Sequence, residues 1–332
     1  MTPRADTVSA DRRRAMLRTA MGPAIAAALG DPRVVEIMVN PDGALRVDIL
    51  GEGRVDTDIR LASDQVERIV RLVASHTRAE VHAETPIVSA ELPAHDNGTG
   101  ERFEGLLPPV SPGPCFSIRK PASRIYTLLD YVTAGMMRAE AAQALSLAVV
   151  ERRNILVAGG TSSGKTTLAN ALLAEMAHLD ERVVLIEDTR ELQSPAADTV
   201  ALRTRAGRVT MGDLVRSTLR LRPDRIIVGE VRGPEALDML KAWNTGHPGG
   251  IATVHANNAR SALFRIEQLV QEAVVTVPRH LIADAIDMIV FIAGRGACRR
   301  IETIAEVTGL DAHGDYLIAD LPLSPLQQPQ GD

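Results

Sequence analysis

The 332-residue chain reads as an α/β protein. A small α+β domain precedes a larger one built on a twisted, mostly parallel sheet. Three observations carry this reading. Beyond residue 136, short apolar runs alternate with helical stretches, the pattern of a parallel sheet covered on both faces. Before it, an amphipathic helix and a tight-turn signal between two strand patterns mark a smaller α+β unit. Pro108, Pro109, Pro112, Pro114 and Pro121 crowd the stretch between, and the composition changes after them. The expected division is an N-terminal domain over 1–121, a linker over 122–135, the larger domain over 136–322 and a loose tail over 323–332.

Residues 1–10 are polar and short-sided, a frayed start. Arg12-Arg13-Arg14 followed by an apolar run to Leu29 imitates an export signal. Arg18 interrupts the run and Gly22-Pro23 lie inside it, so 11–29 is expected to be an amphipathic helix. Its apolar side packs on the domain or touches a membrane surface, and packing is the commoner case. Residues 34–39 and 45–49 have strand patterns around the turn signal Asn40-Pro41-Asp42-Gly43, a β-hairpin. Val66, Ile69, Val70 and Leu72-Val73 recur at helical spacing over 63–77. Residues 86–120 hold Pro, Gly and short strand pieces such as 115–118.

In the larger domain the expected buried strands are 154–158, 182–186, 225–228, 251–254 and 287–292. Thr210-Met211-Gly212-Asp213 has the form of a capping box. Pro234 and Gly246 bracket another helix.

Composition excludes several classes. Net charge is −5 and aromatic residues are 2% of the chain, so neither a basic footprint nor a base-stacking platform favours direct nucleic-acid binding. No segment reaches the ~18–20 apolar residues that span a bilayer. Cys115 and Cys298 are too few for a four-cysteine metal site and are expected to be free thiols. A cytoplasmic protein is expected.

Gly159-Gly160-Thr161-Ser162-Ser163-Gly164-Lys165-Thr166 fits GxxxxGK[ST] at every fixed position. An apolar strand precedes it, and Thr167 with the residues after it begins a helix, so the context is right as well. Glycines let backbone N–H groups turn inward around phosphates, and the helix N-terminus adds partial positive charge. Lys165 is expected on the β/γ-phosphates of ATP and Thr166 on Mg²⁺.

The next strand ends in Glu187-Asp188, and the one after it in Gly229-Glu230. In parallel sheets ligands bind at the carboxyl ends of strands, so these acids share an edge with the glycine loop. Glu230 is the expected base for the attacking water. Gly229 stands where many phosphate-loop enzymes have a metal-supporting Asp. Glu187 or Asp188 can take that task through the metal's water shell. His255 ends a strand on the same edge and can sense the γ-phosphate or bind the catalytic carboxylate. His247 lies in a glycine-rich loop. Two histidines eight apart with no third ligand do not make a metal site.

Together these segments resemble the secretion-type traffic ATPases: GGTSSGKTT, VVLIEDTREL, TLRLRPDRIIVGEVRGPEALDML and NTGHPGGIATVHANN match that family's Walker A, Asp box, Walker B and His box, in order. EIMVNPDG, GERFEGLLPPV and FSIRKP resemble its N-terminal domain more weakly, and the length resembles its type IV, conjugation branch. The resemblance implies a RecA-like ATPase domain and a homo-hexameric ring. It implies nucleotide between the two domains, and partners among the inner-membrane and cytoplasmic components of a secretion channel. Peripheral contact with the membrane is a further implication. Arg102 and Arg119 occupy segments whose arginines approach the phosphates. Arg203, Arg205, Arg220 and Arg232 are candidates for intersubunit or phosphate contacts, with ordinary salt bridges an equal alternative. A type II secretion or pilus ATPase is the alternative within the family; the four-cysteine insert common in its assembly members is missing. A RecA-like nucleic-acid motor is the alternative of another class. A GTPase lacks support, since no N/T-K-x-D motif occurs.

Overall fold

A computed structural model describes residues 5–77, 79–93, 100–121, 124–205 and 207–322. Residues 122 and 123 of the expected linker and the expected tail, 323–332, lie outside the described residues. The chain divides into two compact units at Ser123/Arg124.

The first unit begins with helix α1 (Ala5–Gly30), longer than expected at its start. Gly22 has φ +76 and ψ 173 and is followed by Pro23, which kinks the helix there. Leu17, Met21 and Ile25 are buried at a four-residue spacing, so the apolar stripe packs into its own unit. Among the described residues no helix is long and apolar enough to cross a membrane.

Strands β1 (Val34–Val39) and β2 (Ala44–Ile49) form the expected hairpin. It extends to β3 (Gly53–Arg60), a mostly exposed edge strand that no apolar run announces. Helix α2 (Ser63–Thr77) follows, then β4 (Ile87–Glu91), β5 (Arg102–Leu106) and β6 (Cys115–Arg119). The sheet order is β3-β2-β1-β6-β5-β4 and every pairing is antiparallel. One face carries Ile37, Val39, Phe116, Ile118 and Phe103, which pack with Val66, Ile69 and Val73 of α2. Phe103 and Phe116 stack at 5.3 Å.

The second unit opens with α3 (Leu128–Thr133) and α4 (Ala139–Val150). Part of the stretch expected as a linker is therefore helical. Thr127 and Asp130 cap α3 reciprocally, and Leu128 and Tyr131 anchor it by burial. Thereafter come β7 (Ile155–Gly159), α5 (Lys165–Ala174), β8 (Arg182–Glu187), β9 (Asp198–Arg203) and α6 (Met211–Thr218). They are followed by β10 (Arg225–Val228), α7 (Glu235–Asn244), β11 (Ile251–His255), α8 (Ala259–Gln271) and α9 (Arg279–Ala285). The antiparallel end is β12 (Met288–Ala293), β13 (Arg300–Leu310) and β14 (Tyr316–Asp320). The expected capping box at Thr210 and Asp213 opens α6.

The sheet order is β14-β13-β12-β7-β11-β10-β8-β9. The pairings from β12 through β9 are parallel, while β12-β13 and β13-β14 are antiparallel. The sheet is thus mixed, its parallel body extended by a hairpin. Alternate residues of one strand serve opposite cores. Leu156 and Ala158 pack with Ala236, Leu240, Leu263 and Ile266. Ile155 and Val157 pack with Leu145, Leu168 and Leu172. Burial on both faces is why these strands are continuous apolar runs.

Candidate nucleotide site at the carboxyl edge of the parallel strands

The glycine loop joins β7 to α5. Gly164 has φ +96, a conformation that strains any L side chain, and Ser162 has φ +61. A Cβ at Gly159 would lie 2.6 Å from the Ile292 carbonyl oxygen, so this first glycine allows β7 and β12 to close up. Gly164 caps α5 without a side-chain acceptor, which leaves the first-turn N–H groups to an outside anion. The Ser163 hydroxyl is buried and unpartnered at the same turn.

Strand register assembles the rest. His255 of β11 pairs directly with Gly159 of β7, so the histidine stands beside the first residue of the loop. Thr253 Oγ1 donates to the Gly229 carbonyl at 2.7 Å, and Val231 N donates to the Thr253 carbonyl at 2.9 Å. These two bonds clamp residues 229–231 against β11 and bring Glu230 to His255. His255 Nε2 lies 2.9 Å from Glu230 Oε1. Lys165 Nζ lies 3.8 Å from the same oxygen and donates to the Gly160 carbonyl at 3.1 Å. Arg232 closes the cluster by donating Nε–H to Glu230 Oε2 at 2.6 Å.

The protonation state of His255 follows from its neighbours. Burial lowers its pKa first, and the Lys165 ammonium lowers it further, against the pull of Glu230. A neutral ring with its proton on Nε2 donates to the Glu230 carboxylate. Lys165 Nζ is 3.4 Å from Nδ1 and 3.5 Å from Nε2, so it faces the ring without settling on one lone pair.

Glu187 ends β8 and is only 4% exposed. Its Oε1 accepts the backbone N–H groups of Glu191 and Leu192, both at 2.8 Å. Burial nevertheless pushes its pKa up to about 7. A Cβ at Gly229 would fall 2.9 Å from Glu187 Cγ. The glycine that departs from the usual pattern therefore makes room for the Glu187 side chain from the neighbouring strand. Asp188 is exposed and accepts a 2.8 Å bond from Thr204 Oγ1.

Two expected results arise here. Gly229→Ala must displace a buried carboxylate and is expected to lower unfolding free energy by about 1–3 kcal/mol in urea titrations, as overpacking does. An unchanged midpoint would mean the contact relaxes freely. Glu187 also gives a pH signature. Burial raises its folded pKa to about 7 from the ordinary 4.5, so the folded state binds the extra proton between those limits. The glutamate's contribution to stability therefore falls as pH rises through that window and is flat above it. Glu187→Gln should remove this slope, gaining on the wild type from pH 5 to pH 8. A constant difference between the two proteins at all pH values contradicts the assignment.

Arg102 and Arg119 are direct cross-strand partners on β5 and β6, and Arg119 is likewise paired with Glu36 of β1. They lie on the face of the first sheet opposite the Phe103–Phe116 core, and Ser117 Oγ donates to Glu36 at 2.6 Å on that same face. Of the four further arginines, Arg232 joins the glycine-loop cluster. Arg203 pairs with Glu187 in the β8-β9 register, while Arg205 sits in an isolated bridge to Val209 and Arg220 is exposed just after α6. His247 lies at the other edge of the sheet, ahead of β11. Its Nδ1 is 3.0 Å from the Pro223 carbonyl, ahead of β10. Cys115 and Cys298 are free thiols.

Two residues at the loop were not anticipated. Asn170 of α5 donates to the Glu191 carbonyl at 3.0 Å and accepts from Gln193 N at 2.9 Å, tying the segment after β8 to the helix. Arg299, before β13, donates to the Ser162 carbonyl at 3.3 Å. A polar residue inside the α5 apolar pattern was the available signal for Asn170; Arg299 had none.

Comparison with known proteins agrees with the motifs. The family model described as Type II/IV secretion system protein matches residues 34–309. The chain belongs to this family. It is similar to the conjugal transfer protein TrbB of Rhizobium radiobacter, 48% identical over 295 residues that cover 88% of this chain and 90% of the relative. It is also similar to the probable conjugal transfer protein TrbB of Sinorhizobium fredii strain NBRC 101917 / NGR234, 47% identical over 304 residues and 91% of each chain. Among solved structures, the pilus retraction motor PilT with bound ADP shares the fold, with a TM-score of 0.59, 20% identity, and coverage of 90% of this chain and 80% of that one. The expected likeness to the conjugation branch is therefore met by close relatives.

Proposed function

We propose that this chain is the ATP-hydrolysing motor of a type IV secretion or conjugal transfer apparatus. The observation that carries the reading is the meeting of Lys165, His255 and Glu230 beside the glycine loop. A phosphate-binding cation, a carboxylate and a neutral imidazole at one loop suit phosphoryl transfer to water. The secretion setting rests on the TrbB relatives.

In this reading the second unit, α3 included, forms a RecA-like ATPase domain and the first a nucleotide-responsive domain. Gly159 to Thr167 wrap the phosphates of ATP through their N–H groups. Lys165 neutralises charge on the β- and γ-phosphates. Glu230 orients the attacking water and takes its proton, while His255 holds the Glu230 carboxylate in place through Nε2–H. Arg102 and Arg119 keep the role the resemblance implies, neutralising charge as the γ-phosphoryl group transfers.

The residues present fit Mg²⁺. That ion keeps most of its water and takes few protein ligands. The Thr166 hydroxyl in the first turn of α5 suits direct coordination, with Glu187 and Asp188 holding metal-bound water. Among the described residues no group of three acidic, His or Cys side chains forms a self-sufficient metal cage. When bound, the ion offsets phosphate charge. Burial raises the Glu187 pKa, and a nearby cation would favour its charged form.

The ring of six copies, the channel partners at the inner face of the cytoplasmic membrane and a cytoplasmic location complete the proposal. Purified protein is expected to release phosphate from ATP only with Mg²⁺, to stop on chelation, and to ignore added single-stranded DNA. Hydrolysis that requires DNA would replace this reading with a nucleic-acid motor. No hydrolysis under any of these conditions would remove the enzyme assignment.

A further inference from the structure

The segment between β12 and β13 turns back onto the glycine loop. Gly294 has φ +79, and a Cβ there would fall 2.1 Å from the Cys298 carbonyl oxygen, so the turn admits nothing larger. It delivers Arg299 to the loop. The Arg299 Nε, Cδ and Cζ atoms lie 2.9, 3.0 and 3.1 Å from where a Gly164 Cβ would stand. Gly164 is thus required twice, for its positive φ and for the guanidinium packed against it. Arg299 Nη2 donates to the Ser162 carbonyl at 3.3 Å. In a phosphate-binding loop the N–H groups turn inward, and the Ser162 carbonyl turns instead to Arg299, on the β13 side of the loop. Arg299 grips the loop from that side.

The gripped residue is the strained one. Ser162 has φ +61, and a left-handed conformation costs a non-glycine residue about 1–2 kcal/mol. Such residues persist only where their surroundings over-determine them. Arg299 is a costly way to fill space, because its Nε is buried with no hydrogen-bond partner. An apolar side chain would fill that volume without an unmet donor. What the guanidinium adds is the bond to Ser162.

We propose that Arg299 is a positioning residue for nucleotide binding: it holds Ser162 in its left-handed conformation and so keeps the glycine loop in phosphate-binding shape. The inference rests on the nucleotide-site reading above and extends it to a residue outside all four motifs. It also couples the antiparallel hairpin at the end of the sheet to nucleotide affinity.

The test is a double-mutant cycle in the full chain between Arg299→Met and Ser162→Gly, read as ADP affinity. With Ser162 in place, Arg299→Met is expected to weaken ADP binding about tenfold, the cost of an unsupported left-handed serine. In the Ser162→Gly background the same change should cost less than about threefold, because glycine adopts positive φ without help. A second readout needs no nucleotide. Backbone amide exchange over residues 160–165 should rise in Arg299→Met and fall back in the double variant. An equal loss of affinity in both backgrounds would overturn the proposal in favour of direct phosphate contact by Arg299. A lowered melting temperature with unchanged affinity and exchange would overturn it in favour of a scaffold role. If the wild-type chain binds no ADP, the nucleotide reading fails, and the exchange measurement still decides whether Arg299 holds the loop.

Discussion

Lys165→Ala should weaken ATP binding by about a hundredfold to a thousandfold, the worth of two or so charge-assisted hydrogen bonds. Lys165 is only 7% exposed, so its ammonium is held in the loop and cannot be replaced by a neighbour swinging in. Arg232 is already engaged by Glu230, and Arg299 by the Ser162 carbonyl. The substitution has a second consequence. The Lys165 charge helps to hold His255 neutral, and without it the histidine pKa rises toward the pull of Glu230. A protonated His255 would then pair with Glu230 and draw the carboxylate away from water. Binding and turnover should therefore both fall, with folding kept, since an alanine leaves no unpaired charge behind. Calorimetric titration with ATP measures the first effect, and a change below tenfold would show that Lys165 is not a principal phosphate ligand.

Glu230→Gln should leave ATP affinity within about threefold and cut kcat by about a hundredfold to ten-thousandfold, the usual contribution of a positioned base. The amide keeps the shape of the carboxylate. Its oxygen can still accept from Arg232, and its NH2 can meet the His255 ring if the proton moves to Nδ1, so the loss chiefly reports proton transfer rather than packing. Comparing affinity with single-turnover hydrolysis separates these terms. A variant that loses binding and turnover in equal measure would place Glu230 among the binding residues. One that hydrolyses ATP normally would pass the base to another group, with Glu187 the next carboxylate on the same edge.

Which parts of this site could be read ahead depended on how local their causes are. The glycine loop was legible because strand, loop and helix follow one another within 155–174. Glu230 and His255 were legible by one further step: parallel strands end on a common edge, so two strand-end residues far apart in sequence meet. His247, read only as part of a glycine-rich loop, does not share that edge. It lies eight residues before His255, but the five-residue strand between them spans about 17 Å and carries the two to opposite edges. Arg299 was illegible because its role depends on a tight turn closing onto a loop 137 residues earlier. In the first unit, β3 escaped notice because an exposed edge strand needs no apolar run. The helix inside 122–135 was masked by the prolines before it, while its evidence, a Thr127–Asp130 capping box, is only a short polar pattern. Gly229 was recognised as a departure, and its reason needed the neighbouring strand: Glu187 already fills the space.

The central claim is a ring motor that closes on ATP, and the native mass of Glu230→Gln tests it most directly. A variant that binds ATP without hydrolysing it should hold any closed assembly together. Head-to-tail contacts between identical chains close into rings, and six chains of 35.6 kDa weigh about 214 kDa. Light scattering coupled to size exclusion is expected to give a mass near that value with ATP and Mg²⁺, and a smaller one without nucleotide. A monomer or dimer under both conditions would contradict the ring.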